Sequence, residues 1–429
     1  MRSLTFHRGF LFVALLLCSL TSHGPYVVMA GILLLCACCL TTSDARELLF
    51  SQRYMIFVWL SAAITTACFL WYLAVLHSNT SQELETSATN NFIFLLLVVM
   101  FLAAFTALIE TRLDEVAGIV STLLVLHCAA LILQTVVLIA TKQYIDLVKP
   151  ITGEASRYHN FQTVNPMFAF RPTGLYVEPS TFGAAVAAMA VGYILLSRAR
   201  GRMPSLPPVA LAVVAMLITQ SAAAIVQAGV LIVAVMITHG RRAKAWVAVV
   251  LALLAVASPG LISAYLDSFL LKFNADSGLR FGLLSYLFDQ RQGWDFLFGY
   301  GPFSLEYDLY NLAAGNGRTN VASLNDSGLL AFFIVKFGVA GLAIPAAILL
   351  RIRKDVGTVC LFGLLMTTKL SYMMPVLYFG LLPLIMRLGA PPRVAATPVQ
   401  SADQDDAPPG DDPPRDRLPL NDKPWARSS

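Results

Sequence analysis

Stretches of about 20 apolar residues, recurring along the first 390 positions, decide what this chain can become. Within hydrocarbon no water pairs with a backbone N–H or C=O, so each such stretch must satisfy its own backbone as a helix. About twelve are present, near residues 7–22, 25–41, 54–76, 91–110, 116–140, 182–197, 208–220, 222–239, 245–265, 328–350, 356–370 and 374–388. The apolar runs 208–239 and 356–388 each hold two of them, with tight turns expected at Thr219-Gln220-Ser221 and between Lys369 and Pro375. Composition points the same way: 57% of residues are hydrophobic and 13% charged, where a soluble domain carries about 25% charge. The expectation is an all-α, polytopic transmembrane protein of about 12 spans.

Short cytoplasmic loops collect Lys and Arg, and short external loops do not. Arg2 and Arg8, Arg46 and Arg53, Arg112, Arg198 with Arg200 and Arg202, Arg241 with Arg242 and Lys244, and Arg351 with Arg353 and Lys354 all fall in alternate connections. The connections at 23–24 and 77–90 hold no Lys or Arg. Both termini are therefore expected in the cytoplasm. Residues 1–30 share features with a cleaved signal peptide, but a second apolar run through Leu40 follows at once, so a retained helical hairpin is expected.

On this layout two connections are long, 141–181 and 266–327, and both fall on the external side. Connections longer than about 15 residues in a compact protein carry function or are disordered. In the second, Phe281, Leu284, Tyr286, Leu287, Trp294 and Phe298 recur among Asp289, Arg291 and Asp295. That is the pattern of an amphipathic helix from Phe281 to Phe298 lying at the membrane interface. Residues 391–429, rich in Pro and Asp, cannot bury a core and are expected as a disordered cytoplasmic tail, leaving 1–390 as the membrane domain. The net charge of +5 is spread over short loops instead of one patch, which gives no sign of a nucleic-acid partner.

All seven cysteines lie in apolar runs, and Cys36, Cys38 and Cys39 are accompanied by no His or carboxylate. Neither a disulfide framework nor a metal site is expected, and no cofactor. His127 lies within a span and is expected as a packed, hydrogen-bonded residue. His159, in the first long loop, has no partner that spacing identifies and is expected at the surface.

The first long loop closes with Arg171-Pro172-Thr173-Gly174-Leu175-Tyr176-Val177-Glu178-Pro179-Ser180 and runs into a small-residue helix, Phe182-Gly183-Ala184-Ala185. Pro179 and Ser180 suit a helix start, which sets Glu178 at that helix's positive end. The second loop carries Arg280, then Gly299-Tyr300-Gly301, then Asn325-Asp326-Ser327-Gly328 before the next span. Gly-Tyr-Gly reads as a tight turn, because no strand-then-helix unit surrounds it. In this order the motifs resemble the Wzy-type bacterial O-antigen and exopolysaccharide polymerases, which are allied to the O-antigen ligases. The resemblance covers Arg171 to Leu350 and includes Phe337-Gly338-Val339-Ala340-Gly341. Length, acidic tail and composition are similar to the xanthan-type exopolysaccharide polymerases in particular. Two departures are visible: Gly183 follows Arg171 by twelve positions where the family often has eleven, and Asn320 to Leu330 hold no His, where the ligases carry one.

The resemblance implies an integral-membrane glycosyltransferase of the bacterial cell inner membrane. It would join oligosaccharide repeat units carried on undecaprenyl diphosphate at the periplasmic face, with inversion, beside chain-length regulator and export proteins. Diphosphate is a good leaving group, so the reaction needs its developing negative charge stabilised and no metal or nucleotide. Arg171 and Arg280, one per long loop, suit that role, since a guanidinium stays charged and grips phosphate oxygens with two donors. The plainer reading of both is a solvated or headgroup-anchoring arginine. Glu178 and Asp326 are candidates for the base that takes the acceptor hydroxyl's proton, or for groups that only orient an arginine or cap a helix. Gly174, Tyr300, Arg291, Arg318 and Lys336 complete the expected substrate-contacting set. Lys336 lies inside a span, where a charge is costly, and it either faces a cavity or snorkels outward. A ligase and a non-enzymatic flippase of lipid-linked glycans are the alternatives. The missing His weighs against the first, and nearly charge-free spans without an evident internal repeat weigh against the second.

Overall fold

The computed structural model describes residues 2–76, 82–159, 170–238, 270, 293–299, 301–303 and 328–386. All of them belong to the first of the two units into which the chain divides, Met1–Pro391. The expected span at 245–265 and the expected tail lie outside the described residues. The helices are α1 (Arg2–Ser19), α2 (Pro25–Thr41), α3 (Ser43–Leu49), α4 (Gln52–Leu76), α5 (Gln82–Thr111), α6 (Leu113–Thr141), α7 (Lys149–Thr152), α8 (Pro179–Ala199), α9 (Leu206–Ile218), α10 (Ala222–Thr238), α11 (Trp294–Phe298), α12 (Leu329–Phe337), α13 (Ala343–Ile352), α14 (Val356–Met366) and α15 (Pro375–Ile385). Among the described residues the only β-pairing is an isolated bridge between His159 and Phe170.

Among the described residues four helices, α4, α5, α6 and α8, are long and apolar enough to cross a bilayer. Bent by 106° at Thr42, α2 and α3 add a fifth if taken as one span. The other apolar helices run 10–17 residues, short of the roughly 20 that a straight crossing takes. The expectation of twelve spans is thus met in part: the protein is all-helical among the described residues, with four helices fit to cross a membrane. The stretch expected as one span at 328–350 is broken at Gly338 (φ 62), after which a 3-10 turn, Val339–Leu342, leads into α13. The chain also leaves the helix between Ile218 and Ala222, where Gln220 has φ 51, and between Met366 and Pro375.

At the centre is α8, with 94% of its apolar stretch buried against 17% for α4. Small residues explain it, because Gly and Ala let neighbouring helix backbones come into direct contact. A Cβ on Gly192 would strike the Phe379 carbonyl of α15, one on Gly380 would lie 2.8 Å from the Ala188 carbonyl, and one on Gly183 would lie 2.5 Å from the Ala224 side chain of α10. On α4, by contrast, Trp59, Leu60, Ile64 and Trp71 are exposed, as suits a face turned to lipid.

Contacts at the helix ends fall into two sets. One joins arginine-bearing connections: Arg198 to Asp355 at 3.2 Å, Arg112 to Asp44 at 3.9 Å, and Arg200 to Asp114. His7 lies with them, its Nδ1 3.9 Å from Glu115. The other set joins Ser19 to His127 and Tyr176, Gln134 to Thr173, and Leu329 to Thr368. Helices α1, α6, α8 and α14 each have one end in either set. The bundle therefore has a basic end, tied by ion pairs, and a loop end, where neutral hydrogen bonds dominate.

Candidate functional site

At the loop end the first long loop folds back on α6. Lys142, in a left-handed conformation (φ 59), stops that helix. Gln134, 2% exposed on α6, donates from Nε2 to the Ile145 carbonyl (2.7 Å), and its Oε1 accepts from the N–H groups of Thr173 (3.1 Å) and Gly174 (2.9 Å). One side chain thus ties the start of the loop to its close. Tyr144 and Thr173 add a hydroxyl pair at 2.7 Å.

Asp146 accepts from the N–H groups of Val148 (2.9 Å), Lys149 (2.9 Å) and Ser156 (2.8 Å) and from the Ser156 hydroxyl (2.7 Å). Burial pushes its carboxyl pKa up, but these donors outweigh burial and hold it below the ordinary value. A carboxyl held low contributes stability that is complete above the ordinary carboxylate range and is lost as pH falls through the folded pKa. The turn at 146–156 therefore loosens only in acid. Gln134 is the more deeply buried tie. Replacing it by Leu leaves buried backbone groups unpaired, at a cost of about 1–3 kcal/mol each. Amide exchange at Thr173 and Gly174 is expected to quicken by roughly 10-fold or more; wild-type exchange at both would remove Gln134 from this role.

Of the expected site residues, Arg171, Gly174 and Glu178 share this segment. The Arg171 N–H donates to the Tyr158 carbonyl (2.6 Å) beside the His159–Phe170 bridge. Gly174 has φ 60, and a Cβ there would lie 2.9 Å from the Phe182 ring, so both conformation and space call for glycine. Tyr176, fully buried, donates to the Ser19 carbonyl at 2.9 Å. Glu178 is the N-cap of α8 in an extended conformation (φ -122, ψ 141), with Pro179 at the first helical position. It stands at the helix's positive end, as expected, and its carboxylate pairs with Arg157, which also lies 3.8 Å from Glu154. Sequence reasoning misses Arg157, since no spacing rule connects it to a carboxylate 21 positions on. For Gln134 a signal existed: a polar side chain inside an apolar run.

Arg280, Arg291, Tyr300, Arg318 and Asp326 lie outside the described residues. What is described of the second loop is its seat on α12. A Cβ on Gly299 would lie 2.5 Å from the Gly338 nitrogen, and one on Gly338 would strike the Leu297 carbonyl. The Gly301 N–H donates to the Lys336 carbonyl (2.8 Å), and Tyr372 donates to the Pro302 carbonyl (2.7 Å). Phe303, 1% exposed, packs among Phe69, Tyr72 and Phe92. Gly299, Gly301 and the Phe337-Gly338 segment, separate motifs in the sequence, are one backbone contact in the fold. Lys336 is buried, with Nζ 5.6 Å from the centre of the Phe332 ring, within cation–π range.

The helix expected from Phe281 through Phe298 is interrupted at Gly293, whose φ of 57 and ψ of -120 no helix contains. Trp294–Phe298 is a separate turn with Trp294, Phe296, Leu297 and Phe298 exposed, and residues 281–292 lie outside the described residues.

A run of contacts connects the two loop regions. Gln220 Nε2 donates to the Phe170 carbonyl (3.3 Å), Gln227 Nε2 donates to the Thr367 carbonyl (3.2 Å), and the Leu329 N–H donates to the Thr368 carbonyl (2.8 Å). The turn before α10 and the first half of that helix thus stand between the residue before Arg171 and the turn that receives Gly328. His127 is buried, with Nε2 2.8 Å from Ser19 Oγ, packed as expected, and His159 is exposed. The cysteines are free thiols, and among the described residues no group of three His, Cys, Asp or Glu is arranged to hold a metal. The chain matches no protein-family model, no curated protein and no solved structure.

Proposed function

We propose that the protein is a polymerase of the Wzy type, joining oligosaccharide repeat units carried on undecaprenyl diphosphate at the external face of a bacterial inner membrane. The observation that carries this reading is the seat of α10. Gln220, in the turn just before α10, and Gln227, within α10, hold the residue before Arg171 and the turn next to Gly328, which follows Asp326 by two positions. Motifs that resemble the family's, far apart in sequence, thus meet one element.

The chemistry asks little of the protein beyond charge and position. An acceptor hydroxyl oxygen attacks the anomeric carbon, the bond from that carbon to the diphosphate oxygen breaks, and the diphosphate departs with the electron pair. Arg171 and Arg280 neutralise it, with Lys336, Arg291 and Arg318 as further cations along the lipid-linked substrate. Glu178 is held by Arg157 at a helix N-terminus, so its carboxylate is already engaged. It suits orientation of the loop, and Asp326 is left as the proton acceptor.

The test is polymerisation by purified protein in detergent, supplied with lipid-linked repeat units and a chelator. A ladder of glycan lengths supports the polymerase. A single transferred block identifies a ligase, and vectorial movement of the lipid in vesicles without a new bond identifies a flippase.

A further inference from the structure

Among the described residues four rings gather where the first long loop closes. Tyr144 and Tyr158 stack with centroids 3.8 Å apart and planes 6° from parallel. His159 follows Tyr158 at 4.1 Å, and Phe170 lies 5.4 Å from His159 and 6.1 Å from Tyr158. The His159–Phe170 bridge and the Arg171 N–H on the Tyr158 carbonyl hold these backbones in register, and the hydroxyl pair with Thr173 fixes Tyr144. None of the four is buried: His159 is exposed and the others are half-buried. Arg157, 67% exposed, immediately precedes Tyr158, and it is linked to Glu154, 57% exposed, and to Glu178.

Anchoring the loop does not need this stack, since Gln134 and Asp146 already do so. Rings serving only as packing gain most when fully buried, and these keep surface open beside charged groups. Tyr158 lies between Tyr144 and His159, so the faces the stack can offer are the outer ones of those two rings, and such a face with a guanidinium and carboxylates on the same segment matches a ligand with a flat C–H face and a rim of hydroxyls, which is a pyranose. The C–H face lies on the rings, while the fork of Arg157 and the carboxylate of Glu154 reach the hydroxyls.

We propose that Tyr144, Tyr158, His159 and Phe170, with Arg157 and Glu154 on the same segment, form a carbohydrate-binding platform that holds a sugar ring of the glycan beside Glu178. The inference rests on the reading of the protein as a glycan polymerase and adds to it a sugar subsite next to Arg171.

The test uses the full-length protein in detergent with three neutral pentasaccharides of glucose, linked β1→4, β1→3 and α1→4, read by saturation-transfer NMR. Transfer to ring C–H protons of at least one is expected. Tyr158→Ala is expected to weaken binding roughly 10-fold or more, whereas Tyr158→Phe, which keeps the ring, stays within about twofold of wild type. Thermal unfolding of both variants separates lost binding from lost folding, and His159→Ala removes an exposed ring without emptying the stack. No transfer to any of the three sugars, or wild-type binding by folded Tyr158→Ala, overturns the platform. Sugar binding without a ladder in the polymerisation assay overturns the polymerase and leaves the platform. A ladder whose KM for lipid-linked units is unchanged in Tyr158→Ala, with no saturation transfer, does the reverse.

Discussion

Arg171→Ala is expected to abolish the glycan ladder while the protein stays in the membrane at its normal level. Removing one donor aimed at developing negative charge lowers turnover by roughly 100-fold or more. The loss should be confined to chemistry, because the backbone of Arg171 is held by its own N–H on the Tyr158 carbonyl, which alanine keeps. Arg171→Lys restores charge but not the two-pronged grip, so partial activity is expected. The same loss is expected for Arg280→Ala. A full ladder from either alanine variant would take that arginine out of the site.

The largest expected structural effect lies at Gly192, where a methyl group has nowhere to go. A Cβ there meets the backbone carbonyl of Phe379, and backbone cannot rotate aside as a side chain can. Helices α8 and α15 would have to separate, breaking the reciprocal contact of Gly380 with Ala188. Gly192→Ala is expected to cost about 1–3 kcal/mol and to lower the detergent unfolding temperature. Gly229, in α10, has nothing within 4 Å of where its Cβ would stand. Gly229→Ala should therefore be neutral or mildly stabilising, by up to about 1 kcal/mol, through helix propensity alone. Equal melting of the two variants would mean that α8 and α15 are not in the contact described.

Much of the helix layout was legible because lipid forces each apolar run to satisfy its own backbone. The positions of α4, α5, α6 and α8 follow from hydropathy, and the start of α8 follows from Pro179. Direction changes were not legible. The 106° bend at Thr42, the break at Gly338 and the interruption at Gly293 depend on what packs nearby, and hydropathy carries no such information. In the loops, the sequence marks Glu178 as a helix cap but not its pairing with Arg157. It marks Gln134 as polar in an apolar run but not the loop segments it joins. Pairings across long separations are decided by folding of the whole loop, and hydropathy and spacing along one chain do not reveal them.

The burial of α8 has one more consequence, for the response to the bilayer itself. Helices facing lipid adjust to a thicker or thinner membrane by tilting, at fractions of a kcal/mol per ångström. With helices on all sides, α8 feels such changes only through its neighbours, and α4 on the rim takes them first. Glu178 and the loop closing on it ride on the N-terminus of α8, so their geometry is insulated from the lipid mixture. Activity compared across lipids of different chain length should then vary less than the tilt of α4 does.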